Sequence, residues 1–274
     1  MKAQKVVYNI FEDIADIIRN KNSPVSTTSL LFTYLKLLLS RKNSVFLFGK
    51  RFYYSAQDIF LLLFKEVFIK NEYFFVAKNK NPTIIDCGSN IGVPVLFFKL
   101  LYPESQIICF EPNPFAFEIL KKNVESNSLQ SVILHNLALN DTDGKITLYE
   151  EQASHASLRA NTVKYRLTDS NVVTKTVPCA RLSSFINKEV NLLKMDIEGS
   201  EGVVIKELEK EDKLKLINNI IVEFHYNIKG ASIKLPKFLS ILERAGFKYI
   251  ISAKAESMPF KHKVRDMLIY AYRN

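Results

Sequence analysis

Hydrophobic and polar positions follow two different spacings in the two parts of the chain. Three stretches near the start have apolar residues three and four positions apart, which predicts helices with one buried face: 10–20, 27–40 and 56–70. Between the last two, the run SVFLFGKRFYY has Gly49 and Lys50 separating β-branched and aromatic residues, which predicts a short hairpin. We therefore divide the chain into a mainly helical segment, 1–78, and a second region, 79–274.

In the second region, short apolar runs alternate with amphipathic stretches of helix length, as in a mostly parallel sheet with crossover helices. The predicted strands are 83–87, 106–111, 131–138, 191–197, 217–225, 247–253 and 267–272. The predicted helices are 92–101, 114–127, 200–210 and 232–245. No helix-length stretch joins the last two strands, which predicts an antiparallel pair. The fold class predicted is α/β, doubly wound, with a mostly parallel seven-stranded sheet closed by that hairpin, and further strands at 145–150 and 172–177.

Composition and charge say more about where the protein is located than about which partners it binds. The net charge of +10 would suit nucleic acid or an anionic membrane, but the lysines are scattered singly, as on solvated faces. Three widely spaced cysteines, Cys87, Cys109 and Cys179, favour buried thiols over a disulfide framework. The first twenty residues lack a signal-peptide pattern, and no apolar run reaches the ~20 residues that span a bilayer. We expect a cytoplasmic protein.

The segment TIIDCGSNIG has an apolar strand ending at Asp86, followed by a turn with Gly88, Ser89, Asn90 and Gly92 that leads into a helix. Ligands of doubly wound folds bind outside the carboxyl ends of such strands. Glycine lets the backbone pass close to a ligand, and the amides at the helix start offer hydrogen-bond donors. The spacing is GxxxG, and the GxGxxG of dinucleotide enzymes is absent. These residues are predicted to bind a cofactor.

The next strand, in QIICFEPNP, ends at Glu111, about 20 residues after the glycine turn, where an acidic side chain can accept hydrogen bonds from ribose hydroxyls. Pro112 and Asn113 follow it in the same predicted site. The alternative is a local role, with Glu111 capping the next helix, Asn113 as its N-cap and Pro114 in its first turn. We favour the ribose contact.

A third strand, in SVILHNLALND, ends with Leu137 and Ala138. These side chains are predicted to form an apolar wall beside the cofactor. Ordinary core packing is the alternative for each of them.

Charged residues alternate through NLLKMDIEGSE, where Lys194, Asp196 and Glu198 occupy a strand expected to be buried. Burying them is costly unless they are paired or functional. One alternative is a structural pair between Lys194 and a carboxylate. In the neighbouring strand, NNIIVEFHYN, Glu223 and His225 share one face because side chains alternate with period two. A Glu-x-His pair beside DIEG favours a site over simple packing.

The motifs TIIDCGSNIG, FEPNP, LHNLALND, KMDIEGSE and IVEFH resemble, in order and separation, those of the FkbM family of S-adenosylmethionine-dependent O-methyltransferases, over roughly residues 57–253. Ser89 and Ser183 depart from the family pattern at positions not obliged to carry chemistry. The resemblance implies a class I, Rossmann-like methyltransferase fold. It also implies S-adenosylmethionine as cofactor and methylation of an oxygen on a sugar, glycan or secondary metabolite. The acceptor itself does not transfer with the fold.

The predicted cofactor-binding residues are Asp86, Gly88, Ser89, Asn90, Gly92, Glu111, Pro112, Asn113, Leu137, Ala138, Asp196 and Glu198. The predicted catalytic residues are His225, Asp196 and Glu223, with His225 the first choice as base and Asp196 the second. Asp196 and Glu198 would alternatively orient the cofactor ammonium or an acceptor hydroxyl. The carboxylates and His225 are all able to bind metals, but their spacing matches no zinc signature and methyl transfer needs none, so no metal is predicted.

The expected partner is a small-molecule or glycan acceptor. The polar loop 152–170 contains Arg159, Lys164 and Arg166, which would suit an anionic or glycan acceptor, and an ordinary mobile loop is the alternative. The N-terminal helices are expected to cover the acceptor pocket or to pack on the catalytic core, and the alternative is a peripheral membrane contact. Three alternatives remain: an RNA methyltransferase, a nicotinamide-dependent oxidoreductase and a non-enzymatic binding module. The [DN]PP[YF] signature of enzymes that methylate base amino groups is absent from this sequence. A binding module would leave the DIEG and EFH motifs unexplained.

Overall fold

The computed structural model describes residues 2–40, 42–151, 160–161, 172–226, 233–253 and 265–273. The first part of the chain contains α1 (Lys2–Arg19), α2 (Thr27–Leu39), β1 (Ser44–Leu47), β2 (Lys50–Tyr53) and α3 (Gln57–Phe64), which a π-helical turn, Lys65–Ile69, continues. This order confirms the three predicted helices. The antiparallel pairing of β1 with β2 around Gly49 confirms the predicted hairpin.

The second part begins with β3 (Thr83–Cys87), α4 (Val93–Leu101), β4 (Gln106–Phe110), α5 (Pro114–Ser126) and β5 (Val132–His135). It continues with β6 (Ala138–Leu139), β7 (Gly144–Glu151), β8 (Ala160–Asn161), β9 (Val172–Ala180), β10 (Val190–Met195) and α6 (Glu201–Lys210). It ends with β11 (Ile217–Tyr226), α7 (Leu235–Arg244), β12 (Lys248–Ala253) and β13 (Arg265–Tyr272). Short 3₁₀ turns lie at Leu182–Phe185 and Leu214–Leu216.

A seven-stranded sheet in the order β12-β13-β11-β10-β3-β4-β5 organises the second part. Neighbouring strands from β11 to β5 are parallel, whereas β13 is antiparallel to both β11 and β12. The predicted α/β class and the antiparallel C-terminal hairpin are therefore confirmed. All five residues of β3 are buried, as expected for a central strand covered on both faces.

The prediction of one strand over 131–138 is wrong, because the chain leaves the main sheet after His135. The side-chain amide of Asn136 donates to the carbonyl of Glu111 (2.8 Å), and β6 then pairs with β9 in a separate sheet ordered β6-β9-β7-β8. The strands predicted at 145–150 and 172–177 belong to this second sheet as β7 and β9. The loop with Arg159, Lys164 and Arg166 lies outside the described residues.

The two faces of the main sheet pack against different partners. One face packs under α6 and α7, with Leu193, Met195 and Val222 in its core. On the other face, one core cluster joins N-terminal residues to α4, α5 and the strands, and extends from Ile17 to Ile221. The N-terminal segment therefore packs directly on the main sheet, although the sequence pattern changes at residue 79.

Asn123 of α5 fastens the N-terminal hairpin to the glycine turn. Its side chain accepts a hydrogen bond from the amide of Tyr53 (2.7 Å) and donates to the carbonyls of Tyr53 (3.0 Å) and Ile91 (2.8 Å). Asn123 is 2% exposed, so these bonds are shielded from water. The glycine turn is thus tied to both α5 and the N-terminal hairpin.

Two further sequence expectations have structural counterparts. The three cysteines are buried and free, as predicted. Within the described ranges, no helix combines the length and apolar character needed to cross a bilayer.

Candidate active site

The turn between β3 and α4 brings the backbone of two strand ends into close approach. The amides of Gly88 and Ser89 both donate to the carbonyl of Phe110 (2.9 and 3.0 Å), which ties the turn to β4. Gly88 has a φ of +81°, and a Cβ built on it would lie 1.8 Å from the carbonyl oxygen of Asp196. Glycine is required there because no side-chain motion relieves a clash with backbone. The turn and the end of β10 therefore meet at one edge.

Glu111 lies at that edge, and its carboxylate is held by two backbone amides. Oε2 accepts from Asn90 (2.8 Å) and Oε1 accepts from Asn113 (2.9 Å), while the Asn113 side chain caps α5 by accepting from Phe115 (2.9 Å). Burial raises the pKa of Glu111 to about 7 against the lowering effect of the two amides. The local capping role is therefore present. The two amides leave further lone pairs on the carboxylate, so the ribose contact stays compatible with it.

An open cleft lies in front of Glu111, with about 570 Å³ of empty volume counting the part open to solvent. Its walls include most of the predicted cofactor-binding residues: Gly88, Asn90, Glu111, Pro112, Leu137, Ala138, Asp196 and Glu198. Four others, Asp86, Ser89, Gly92 and Asn113, are not part of this lining. Ser89, which is fully buried, donates its hydroxyl to the carbonyl of Asp86 (2.9 Å) and so supports the turn from behind.

Asp86 forms a buried ion pair with Lys194. Lys194 Nζ lies 3.1 Å from Asp86 Oδ1, and both side chains are at most 1% exposed. Nζ also donates to the carbonyl of Gly88 (2.7 Å), and it lies 5.1 Å from the ring centroid of Tyr73. Burial lowers the pKa of Lys194, but Asp86 and Asp196 raise it by more, so the amine is charged. This confirms the alternative of a structural pair for Lys194, and it places Asp86 beneath the glycine turn.

Four carboxylates and the imidazole of His225 converge at the end of β11. His225, 3% exposed, has its Nε2 3.8 Å from Asp196 Oδ1, 3.6 Å from Glu198 Oε2 and 3.9 Å from Glu223 Oε1. Its Nδ1 lies 2.7 Å from Glu201 Oε1. Glu198 has a φ of +55°, which few residues other than glycine adopt. The predicted catalytic residues are thus brought together, and Asp196 and Glu198 also face the cleft.

A family model described as a methyltransferase FkbM domain matches residues 86–249. The chain belongs to the FkbM methyltransferase family. The protein is accordingly a methyltransferase with the class I fold, and S-adenosylmethionine is its cofactor.

Three FkbM-type or other methyltransferases illustrate the range of similarity. "Methyltransferase 1" of Beauveria bassiana (strain ARSEF 2860) is 33% identical over 177 residues, covering 58% of this chain and 71% of that protein. The 31-O-demethyl-FK506 methyltransferase FkbM of Streptomyces tacrolimicus is 25% identical over 218 residues, covering 69% and 82%. The crystal structure of an FkbM methyltransferase from Methylobacillus flagellatus KT aligns with a TM-score of 0.49 at 14% identity, covering 98% of this chain and 60% of that one.

The residues of this FkbM-family chain fit the cofactor at the cleft. Glu111 offers a buried carboxylate to a diol, and Gly88 leaves room beside the backbone of β10. The apolar wall of Leu137 and Ala138 lies on the same cleft. A buried carboxylate and an apolar wall on one cleft suit the ribose and the base of a nucleoside.

Two residues of this methyltransferase site were not predicted from the sequence. Glu201, 1% exposed, accepts from the amides of Ile197 (3.3 Å) and Gly199 (3.0 Å) while it contacts His225. Burial raises the pKa of Glu201, but His225 and the backbone amides lower it by more. An acidic residue in the first turn of α6 was the available signal. Tyr73 comes from the N-terminal segment, and burial followed by the charges of Asp196 and Glu223 raises its pKa well above the usual value.

Proposed function

We propose that the protein transfers the methyl group of S-adenosylmethionine to a hydroxyl oxygen of a sugar, glycan or secondary-metabolite acceptor. The observation that carries the proposal is the convergence of Asp196, Glu198 and Glu223 on His225 Nε2 at the border of the cofactor cleft. Such a cluster suits an acceptor that must lose a proton as it is methylated. The name of the Streptomyces tacrolimicus relative, which denotes methylation at an oxygen, supports the choice of atom.

Bound S-adenosylmethionine supplies a methyl carbon on a positively charged sulfur. The new O–CH₃ bond forms as the S–CH₃ bond breaks, and the electron pair of the broken bond stays on sulfur. The acceptor hydroxyl loses its proton in the same reaction. The protein contributes mainly position, because an in-line displacement is accelerated by alignment in a site that excludes water. Glu111 binds the ribose hydroxyls, and Asp196 and Glu198 lie between the cleft and His225.

Proton removal is assigned to the cluster around His225. His225 is the first candidate for the base, followed by Asp196 and Glu223. Glu201 fixes the orientation of the imidazole by holding Nδ1, and its carboxylate stabilises the ring when it carries a positive charge. Glu201 is therefore a positioning residue, whether Nε2 of His225 removes the proton itself or orients another group that does.

Calorimetric titration with S-adenosylhomocysteine, with NADH as the control ligand, tests the cofactor half of the proposal. A methylation screen with glycans, lipid-linked sugars and RNA then tests the acceptor. We expect His225→Ala to lower turnover by about 100-fold or more, the range for a lost base, and to leave cofactor affinity nearly unchanged. Equal losses in turnover and cofactor affinity would contradict a role in proton removal. Methylation of RNA and of no hydroxyl compound would refute the proposed acceptor class.

The N-terminal helices carry exposed apolar side chains that bear on the lipid-linked part of this screen. Phe32 and Leu39 of α2 are 71% and 84% exposed, and Phe11 of α1 is 68% exposed. Such side chains support a peripheral membrane contact, which remains a prediction.

A further inference from the structure

We infer that Asp196, Glu198 and His225 form a binding site for a divalent cation that activates the acceptor hydroxyl. This inference rests on the proposed function and deepens it, because it changes the role of His225 from base to ligand. Manganese is the cation class that suits the site best, since the donor set mixes two hard carboxylates with one imidazole. Magnesium is the competing cation, because it also prefers carboxylate oxygens.

The spacing of the donor atoms fits a shared cation. One atom from each of the three side chains lies within 4.8 Å of the others, and the separations from Nε2 are 3.8 Å to Asp196 and 3.6 Å to Glu198. Ligand atoms at ~2.1 Å from an octahedral ion are roughly 3.0 Å apart at neighbouring positions and roughly 4.2 Å apart at opposite positions. The two separations from Nε2 are too long for direct hydrogen bonds and lie between those octahedral values. Small side-chain movements would bring all three onto one ion.

The orientation of the imidazole is fixed from behind by Glu201. Metal-binding histidines usually donate their second ring nitrogen to a carboxylate, which sets the tautomer and the ring plane. Here Nδ1 lies 2.7 Å from Glu201 Oε1, and both side chains are at most 2% exposed. With the proton on Nδ1, the lone pair of Nε2 is directed at carboxylate oxygens, which are also electron-pair donors. A cation between these atoms would accept an electron pair from each of them.

Charge supports the same assignment. Asp196, Glu198 and Glu223 place carboxylate oxygens within 4.0 Å of one ring nitrogen. A divalent cation is attracted to such a concentration of carboxylate oxygens and can coordinate them directly.

The cation would bind the acceptor oxygen at an open coordination position, because the three protein donors leave such positions for substrate or water. Binding lowers the pKa of that hydroxyl, so its proton passes to a carboxylate base. Glu223, whose Oε1 lies 3.9 Å from Nε2, is that base. The oxygen then carries the electron pair that forms the new bond to the methyl carbon.

Titration of the full, untagged chain with Mn²⁺ tests the site directly, using calorimetry and the EPR signal of free Mn²⁺. We expect one ion per chain, displaced by Mg²⁺. Asp196→Asn and Glu198→Gln should abolish or weaken binding by at least 10-fold, and Glu201→Gln should weaken it by about 10–100-fold. Asp212→Asn removes one carboxylate charge from an exposed ion pair on Lys215 and serves as the matched control. It should leave Mn²⁺ affinity unchanged.

Two results would overturn the inference: no Mn²⁺ binding with or without S-adenosylhomocysteine, or binding that survives both Asp196→Asn and Glu198→Gln. Titration of the same samples with S-adenosylhomocysteine separates this failure from that of the proposed function. Cofactor binding and hydroxyl methylation in chelator-treated protein would leave the proposed function standing, with His225 as base. Mn²⁺ binding that depends on Asp196, without cofactor binding, would support the cation site and refute the proposed function.

Discussion

The ionisation of Glu111 should control the affinity for the cofactor. Two amides already bind its carboxylate, and burial raises its pKa to about 7. Only the ionised form has full acceptor capacity for two ribose hydroxyls, so cofactor binding should favour that form. Lowering the pH below 7 therefore removes the binding-competent form. Glu111→Gln keeps the size of the side chain and abolishes the titration.

The size of the effect follows from the pKa. At pH 8.5 about 97% of Glu111 is ionised, and at pH 5.5 about 3% is, so the apparent dissociation constant should rise by about 30-fold between these values, or ~2 kcal/mol. Stability has the opposite trend in the cofactor-free protein. The folded pKa lies above the ordinary 4.5, so this group's stabilising effect is present below pH 4.5 and is lost as the pH rises through 7. The full difference is about 3 kcal/mol.

Calorimetric titration with S-adenosylhomocysteine from pH 5.5 to 8.5 measures the first effect, and thermal unfolding from about pH 4 to 8.5 measures the second. The ratio of dissociation constants between Glu111→Gln and the natural protein should be largest at pH 8.5 and approach one at pH 5.5. Other groups that titrate in this range act on both proteins and cancel in that ratio. A ratio that stays constant with pH would refute the ribose contact through the ionised carboxylate.

Two further substitutions test the packing beneath the cleft. Gly88→Ala should lower the melting temperature far more than Gly49→Ala. Both glycines have a positive φ, which costs alanine about 1 kcal/mol, but only at Gly88 does the added Cβ meet backbone, since a Cβ at Gly49 meets nothing within 4 Å. Equal losses would contradict the backbone clash. Lys194→Met should cost about 3–5 kcal/mol in urea unfolding by leaving Asp86 buried and charged, and Asp86→Asn added to it should restore most of this. If the double variant is no more stable than the single one, the ion pair is not the cause.

The order and type of the core elements were predictable because their strands are buried on both faces and so appear as continuous apolar runs. The glycine turn was predictable for another reason. Gly88 tolerates no side chain, and the number of residues between Gly88 and Glu111 follows from the lengths of the intervening helix and strand. The break between β5 and β6 was not predictable, because LHNLALND has an unbroken strand-like pattern. It depends on the side chain of Asn136 and on pairing with a strand about forty residues later.

Contacts between distant parts of the chain account for most of what the sequence did not reveal in the site. In the sequence, Glu201 looks like an acidic residue that stabilises the start of a helix. It does accept a hydrogen bond from the amide of Gly199, just before α6. Its contact with His225 depends on the parallel pairing of β10 with β11, which brings the start of α6 beside the end of β11. The adjacency of these two strands was predicted from the sequence, whereas a contact between a helix start and a neighbouring strand depends on the packing of the whole fold.

The division at residue 79 separates two sequence patterns, but it does not separate two cores. Phe97 and Phe98 of α4 are fully buried, and Phe97 packs edge-on against Phe68 of the N-terminal segment at 5.5 Å between ring centroids. The same segment supplies Tyr73, whose ring lies beside Lys194. Burial, followed by the charges of Asp196 and Glu223, raises the pKa of Tyr73, so this side chain lies near the proposed catalytic residues. The N-terminal segment therefore reaches the candidate active site as well as the core.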